Sequence, residues 1–192
     1  MGFTRRELEA ARGRSVPDLV GDDVRLLFVG INPGLWTAAA QAHFAHPGNR
    51  FWKALHRAGL VDHPIDASGG LSAEDARALV ERGIGITNLV NRATARADEL
   101  DPEELRGGAR ELVEKIRRLH PKVVVVLGLG AYRTGFGRPR ARRGRQPEPL
   151  DGAILYVAGN PSGLNAHETV DSLAGLFAEA AREAGIPLEE PR

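Results

Sequence analysis

The chain has no cysteine. That one absence excludes disulfides, cysteine nucleophiles, thiolate zinc sites and cysteine-held iron–sulfur clusters together. Lysine is almost missing too: Lys53, Lys115 and Lys122 are the only three, so 23 of the 26 basic residues are arginines. Arginine offers a planar fork that suits phosphate, and a general bias towards Arg, Ala, Gly and Pro accounts for the count equally well. Neither sign of charge dominates. The formal net charge is +1, so global charge argues for no particular partner. No apolar run approaches the roughly 18 residues of a membrane helix, and no signal-peptide pattern opens the chain. A soluble, cytoplasmic protein with no membrane partner is expected. The six histidines (43, 46, 56, 63, 120 and 167) show no ligand spacing. His43 and His46 stand three apart without an acid or a third histidine, so no metal site and no cofactor are expected.

What is present suits a single domain over residues 1–192, long enough to bury a sound core. Val24–Val29, Ile84–Leu89, Lys122–Leu127 and Ala153–Ala158 are short, nearly continuous apolar runs rich in β-branched residues. Such runs suit a mostly parallel sheet covered on both faces. Helical segments fall between them: Asn49–Ala58, Ser72–Glu81, a helix opened by Asp101-Pro102-Glu103-Glu104 and stopped by Pro121, and His167–Ala184. Asp101 reads as an N-cap, with Pro in the first turn and acids against the helix dipole. The first dozen residues read as a short helix. The fold class is therefore α/β, a three-layer α/β/α sandwich with a core over about residues 24–184. Residues 132–149 carry six arginines among Gly and Pro without periodicity, and read as a surface loop. Residues 187–192 read as a loose tail.

In open α/β sheets ligands sit beyond the carboxyl ends of strands, so the loops after the strands matter most. After the first apolar run comes Gly30-Ile31-Asn32-Pro33-Gly34, and after the last comes Gly159-Asn160-Pro161-Ser162-Gly163-Leu164-Asn165. Proline biases the residue before it towards an extended conformation, so each Asn is held out at the sheet edge. Either bend alone is a common turn. Two of them in one domain look like two walls of one pocket. Phe51 and Trp52 read as core, whereas Phe44, among small and polar neighbours, is placed to stack on a planar ligand. Gly128-Leu129-Gly130 begins like a dinucleotide fingerprint, but Arg133 occupies the third glycine position, where a helix could not pack closely.

GINPG, FAHPGNRFWK, ITNLVNRAT and NPSGLN, in this order over about residues 24–180, resemble the mismatch-specific uracil/thymine DNA glycosylases, a branch of the uracil-DNA glycosylase superfamily. The resemblance implies a monofunctional DNA-repair glycosylase. Such an enzyme flips and excises uracil, or thymine or damaged pyrimidines, from double-stranded DNA with G:U or G:T mismatches, and leaves an abasic site. It implies that Asn32 positions the hydrolytic water, that Phe44 stacks on the flipped base, that backbone near Ile31 and Gly34 lines the base edge, and that Asn160 lies beside the pocket. Ser162, Gly163, Leu164 and Asn165 then form the wedge, with Leu164 as the apolar plug. Asn88 and Asn91 stand where relatives vary, and one of them would assist or replace Asn32. Trp36 and Thr37 would narrow the pocket against the thymine 5-methyl group. Arg140, Arg142 and Arg143 either contact phosphate or belong to a solvated insert. A monomer is expected. Two rival readings stand beside this one: a lesion-binding protein of the same fold without catalysis, and a nucleotide-binding α/β protein using Gly128–Gly130.

Overall fold

The apolar runs lie at the centre of the molecule as the strands of one sheet. The computed structural model describes residues 2–190. Strands β1 (Leu26–Gly30), β2 (Ile84–Asn88), β3 (Val123–Leu127), β4 (Gly144–Arg145) and β5 (Ile154–Ala158) form one sheet in the order β2-β1-β3-β5-β4. All pairings are parallel except that of the short edge strand β4 with β5. Every residue of β1 and β3 is buried, as expected where helices cover both faces.

Among the described residues seven α-helices surround the sheet: α1 (Arg5–Ala10), α2 (Leu35–Ala40), α3 (Phe51–Arg57), α4 (Ala73–Glu81), α5 (Pro102–Leu119), α6 (Leu129–Gly135) and α7 (Val170–Glu183). On one face Leu26, Phe28, Ile84 and Ile86 pack against Phe51 and Leu55 of α3, Leu79 of α4 and Phe177 of α7. On the other, Leu27, Val29, Val124 and Val126 meet Leu112 and Ile116 of α5 and Tyr132 of α6. The alternation follows the period-2 side-chain geometry of a strand, and gives the three layers that the sequence leads one to expect.

Local chemistry sets the helix starts. Ser72 accepts from the Asp75 amide, and Asp101 accepts from the Glu104 amide while Glu104 reaches back to it; each cap satisfies donors that the first turn leaves orphaned. The last helix begins later than expected, at Val170, because Thr169 caps it through Ser172. No helix among the described residues is long and apolar enough to cross a membrane.

Two segments depart from expectation. Residues 132–149 are not simply a loop: they include the end of α6 and all of β4. Most of their arginines are engaged. Arg133 donates to the Ala141 carbonyl, Arg138 pairs with Glu148, Arg143 with Glu168 and Arg145 with Glu183. Nor is the expected tail loose as far as it is described. The Glu189 amide donates to the Gly59 carbonyl at 2.7 Å, and Arg82 holds both the Glu189 carboxylate and the Pro187 carbonyl. Residues 191 and 192 lie outside the described residues.

Candidate active site

The carboxyl ends of β1, β2, β3 and β5 open onto one cavity of about 670 Å3. Its wall includes Ile31, Asn32 and Gly34 from the first Asn-Pro bend, Phe44, Asn88 at the end of β2, and Asn160, Ser162, Gly163, Leu164 and Asn165 from the second bend. Trp36 and Thr37 line it as well. The two asparagine bends thus share one cleft. Arg140, Arg142, Arg143 and Asn91 are not part of its wall.

Asn32 is held by its nitrogen. Nδ2 donates to the Arg92 carbonyl at 2.9 Å and to Thr94 Oγ1 at 2.8 Å. A side-chain amide has two N–H donors, so both are spent. Thr94 directs its own hydroxyl proton to the Arg96 carbonyl at 2.7 Å, and therefore meets Asn32 only as an acceptor. The Arg92 main chain is steadied in turn, because its guanidinium makes a two-point pair with Glu104 on α5, at 2.9 and 2.8 Å. The Thr94 amide donates to the Pro33 carbonyl, fastening this strand-like stretch to the GINPG bend. The amide can point only one way: its oxygen is left for the cavity. An oxygen so placed accepts from a water and does not take up a proton.

Phe44 has a positive φ of 53°, a left-handed conformation that is rare for a bulky side chain and marks a residue held by its surroundings. Two contacts hold it. Its ring stacks on Phe51, with centroids 4.1 Å apart and planes at 27°. The next residue, Ala45, donates its amide to Thr37 Oγ1 at 3.1 Å. Gly30 lies under the same ring. A Cβ at Gly30 would lie 2.5 Å from Asn88 Oδ1 and 3.2 Å from the Phe44 ring, so only glycine leaves room for both.

Asn88 and Asn91 separate cleanly. Asn91 accepts from the Val16 amide and donates to the Val16 carbonyl, each at 2.9 Å; its amide is consumed by backbone, and it takes no part in the cleft. Asn88 faces the cleft beside His43. The buried His43 ring places Nε2 2.9 Å from the Pro17 carbonyl, which can only accept, so Nε2 carries the proton. Burial pushes the His43 pKa down, which keeps the ring neutral and leaves Nδ1 as an acceptor for Asn88 Nδ2 at 3.5 Å. Asn88 Oδ1 is then directed to the space over Gly30.

The second bend is a turn closed by the Asn165 amide on the Ser162 carbonyl at 3.0 Å. Asn160 Oδ1 accepts from the Ser162 amide, and Asn165 Nδ2 donates to the Asn160 carbonyl at 2.9 Å. At its tip Leu164 is 85% exposed, the one large hydrophobic side chain so placed among the described residues. The root of the turn is fixed by Glu168, 2% exposed at its side chain, which accepts from the Gly159 amide, Ser172 Oγ and Arg143. Burial alone would raise this carboxyl, but the hydrogen bonds from Arg143, Ser172 and Gly159 outweigh it and hold the pKa below the ordinary value. Arg143 is thereby paired with a protein carboxylate through Nε and Nη2. Arg140 and Arg142 are exposed, with no ion pair among the described residues.

Thr94, His43, Arg50 and Glu168 carry parts of this arrangement that the sequence motifs did not assign. Thr94 and Arg50 lie inside two of the quoted stretches, so their position was visible and their contacts were not.

Together the fold and the cleft define a three-layer α/β protein whose site, at the carboxyl edge of a mostly parallel sheet, is built from amides and one stacked aromatic. The family model of the uracil DNA glycosylase superfamily matches residues 17–183, and the chain belongs to that superfamily. The chain is also similar to the solution NMR structure of a candidate uracil DNA glycosylase from Methanosarcina acetivorans, with a TM-score of 0.56 and 17% sequence identity, over 88% of this chain and 98% of that one. At that identity the likeness speaks for the fold. Family membership makes DNA the class of substrate.

Proposed function

We propose that the protein is a monofunctional DNA glycosylase that turns uracil out of mismatched DNA and hydrolyses its N-glycosidic bond, leaving an abasic site. The observation that carries this reading is the shared cleft of Asn32 and Asn160, with Phe44 inside it and Leu164 at its lip.

A base inside a duplex is unreachable, and turning it out costs a few kcal/mol, least at a weak pair such as G·U or G·T. Leu164 fills the gap left in the stack, as apolar wedges do in other proteins that distort DNA. Phe44, backed by Phe51, returns stacking of about 1–3 kcal/mol to the everted base. Asn88 Oδ1 is set to accept from a base that presents a donor, such as the N3–H of uracil or thymine.

Bond breaking moves charge onto the departing base and leaves a cationic sugar. Backbone near Ile31 and Gly34 supports the leaving base, an electrostatic contribution of the oxyanion-hole kind. Asn32 Oδ1 aligns the attacking water. An amide cannot accept the proton, so leaving-group support carries much of the rate and turnover is modest. Trp36 and Thr37 narrow the cleft on the side where thymine carries its methyl group, which favours uracil over thymine. The protein acts as a monomer.

The test is a duplex with one labelled G·U pair, incubated with the protein and heated in alkali. Strand scission at the uracil supports the reading. Tight binding without scission makes the protein a lesion-binding member of its superfamily instead. A panel of duplexes with thymine, ethenocytosine or hypoxanthine at the same place ranks the substrates.

A further inference from the structure

Leu164 stands almost fully exposed at the tip of a turn, a place where a short loop would ordinarily be free to move. Its neighbours do not allow that. Arg50, the residue immediately before α3, reaches the turn from outside. Its Nη1 donates to the Ser162 carbonyl at 2.9 Å and to the Asn165 carbonyl at 2.8 Å, the two residues that close the turn around Gly163 and Leu164. Its backbone amide donates to the Pro161 carbonyl at 2.9 Å. The loop in front of α3 also supports the tip directly. A Cβ at Gly163 would lie 2.8 Å from the Gly48 carbonyl oxygen, so the backbone of the turn rests on the backbone of that loop.

We propose that Arg50 is a positioning residue: it shapes the turn 162–165 before DNA arrives and acts on base excision through Leu164. This rests on the reading of Leu164 as the wedge. The physics is specific. Two carbonyl dipoles converge on one guanidinium nitrogen, and hydrogen bonds to a charged donor are about twice as strong as neutral ones. Ser162 and Asn165 are only partly buried, so water can replace Arg50 when it is removed. Global stability is then little changed, whereas local order is lost. A wedge that is already shaped enters the duplex without an ordering cost at the moment of insertion.

Two measurements test this. In the free protein, 15N relaxation gives backbone order parameters at Gly163, Leu164 and Asn165. They are expected in the rigid range, near 0.85, and below about 0.6 in Arg50→Met. Arg50→Lys, whose ammonium offers three donors to the same carbonyls, is expected to restore much of the order. In single-turnover excision from a G·U duplex at saturating protein, Arg50→Met is expected to lower the rate roughly tenfold to a hundredfold with little change in DNA affinity. In a Leu164→Ala background the same change is expected to lower it by no more than about twofold, since coupled residues do not add. Unchanged order parameters in Arg50→Met, or a double variant that multiplies the two full losses, overturns the proposal. If the wild type excises no base from any duplex, the glycosylase reading falls, and the relaxation measurement alone decides whether Arg50 shapes the turn.

Discussion

The side-chain nitrogen of Asn32 lies 2.8 Å from Oγ1 of Thr94, and that hydroxyl has already given its proton to the Arg96 carbonyl. The contact therefore has one direction, and it turns an ambiguous amide into an oriented one. Removing the acceptor frees one N–H and lets the amide rotate. Thr94→Val should reduce excision about tenfold, the loss expected for a hydrogen bond worth about 1–1.5 kcal/mol. Thr94→Ser keeps the hydroxyl and should stay close to wild type. Single-turnover rates for the two variants, with binding measured separately, check this.

Asn32→Ala should bind a G·U duplex as the wild type does and excise almost nothing, because the water loses its acceptor while the DNA contacts remain. Asn32→Asp should also be poor. A carboxylate has no N–H for the Arg92 carbonyl, and two facing oxygens repel. Unchanged excision by the Ala variant would end the mechanistic claim, and gel shift beside a cleavage assay reads both quantities.

Phe44→Ala should lose roughly tenfold to a hundredfold in excision, the equivalent of about 1–3 kcal/mol of stacking on one base. The fold should hold at some cost, since Phe44 is only partly buried against the core, although the alanine Cβ keeps the left-handed strain and the contact with Phe51 is lost. Thermal denaturation alongside the kinetics separates the two effects.

The arginines of 138–145 should divide by their partners. Arg140→Ala and Arg142→Ala, at residues with no ion pair among those described, should flatten the salt dependence of DNA affinity by up to about one unit of slope each if they touch phosphate. Arg143→Ala should instead destabilise the protein by about 1–3 kcal/mol, because it leaves a buried carboxylate without its cation, held only by the Gly159 amide and Ser172. A salt titration of binding and a denaturant titration of folding, run on all three variants, tell these roles apart.

Glu168 gives stability a defined dependence on pH. Its carboxyl is held below the ordinary value of 4.5 in the folded state. The unfolded chain binds the proton more readily, so the contribution is full above that value and is lost as pH falls through the folded pKa. Glu168→Gln should flatten the acid limb of a stability profile below about pH 4.5. Denaturant melts across that range measure the slope.

Much of this molecule can be read from its sequence, and the unread parts share a physical cause. Continuous β-branched runs announce buried parallel strands because few other structures tolerate them. Ser72 and Asp101 announce helix starts because capping is local. The two Asn-Pro bends announce a cleft because both stand at strand ends. What escaped depends on distance along the chain or on weak local signal. Helix α2 begins directly after Gly34, which offers no side-chain cap, so no local start signal marks it in the sequence. Thr94 meets Asn32 across 62 residues, and Glu168 meets Arg143 across 25. Asn88 and Asn91 look alike in the motif, and only the turn between them sends one to the cleft and the other to Val16.

Leu164 gives the free protein a small greasy prow that nothing in the fold conceals. On the proposed reading of Leu164 as the wedge, a prow set firmly in place presses alike on each base step it meets, and the weakest step gives way first. On that reading search and selection become one motion, and a mispaired site is the first place where the duplex yields.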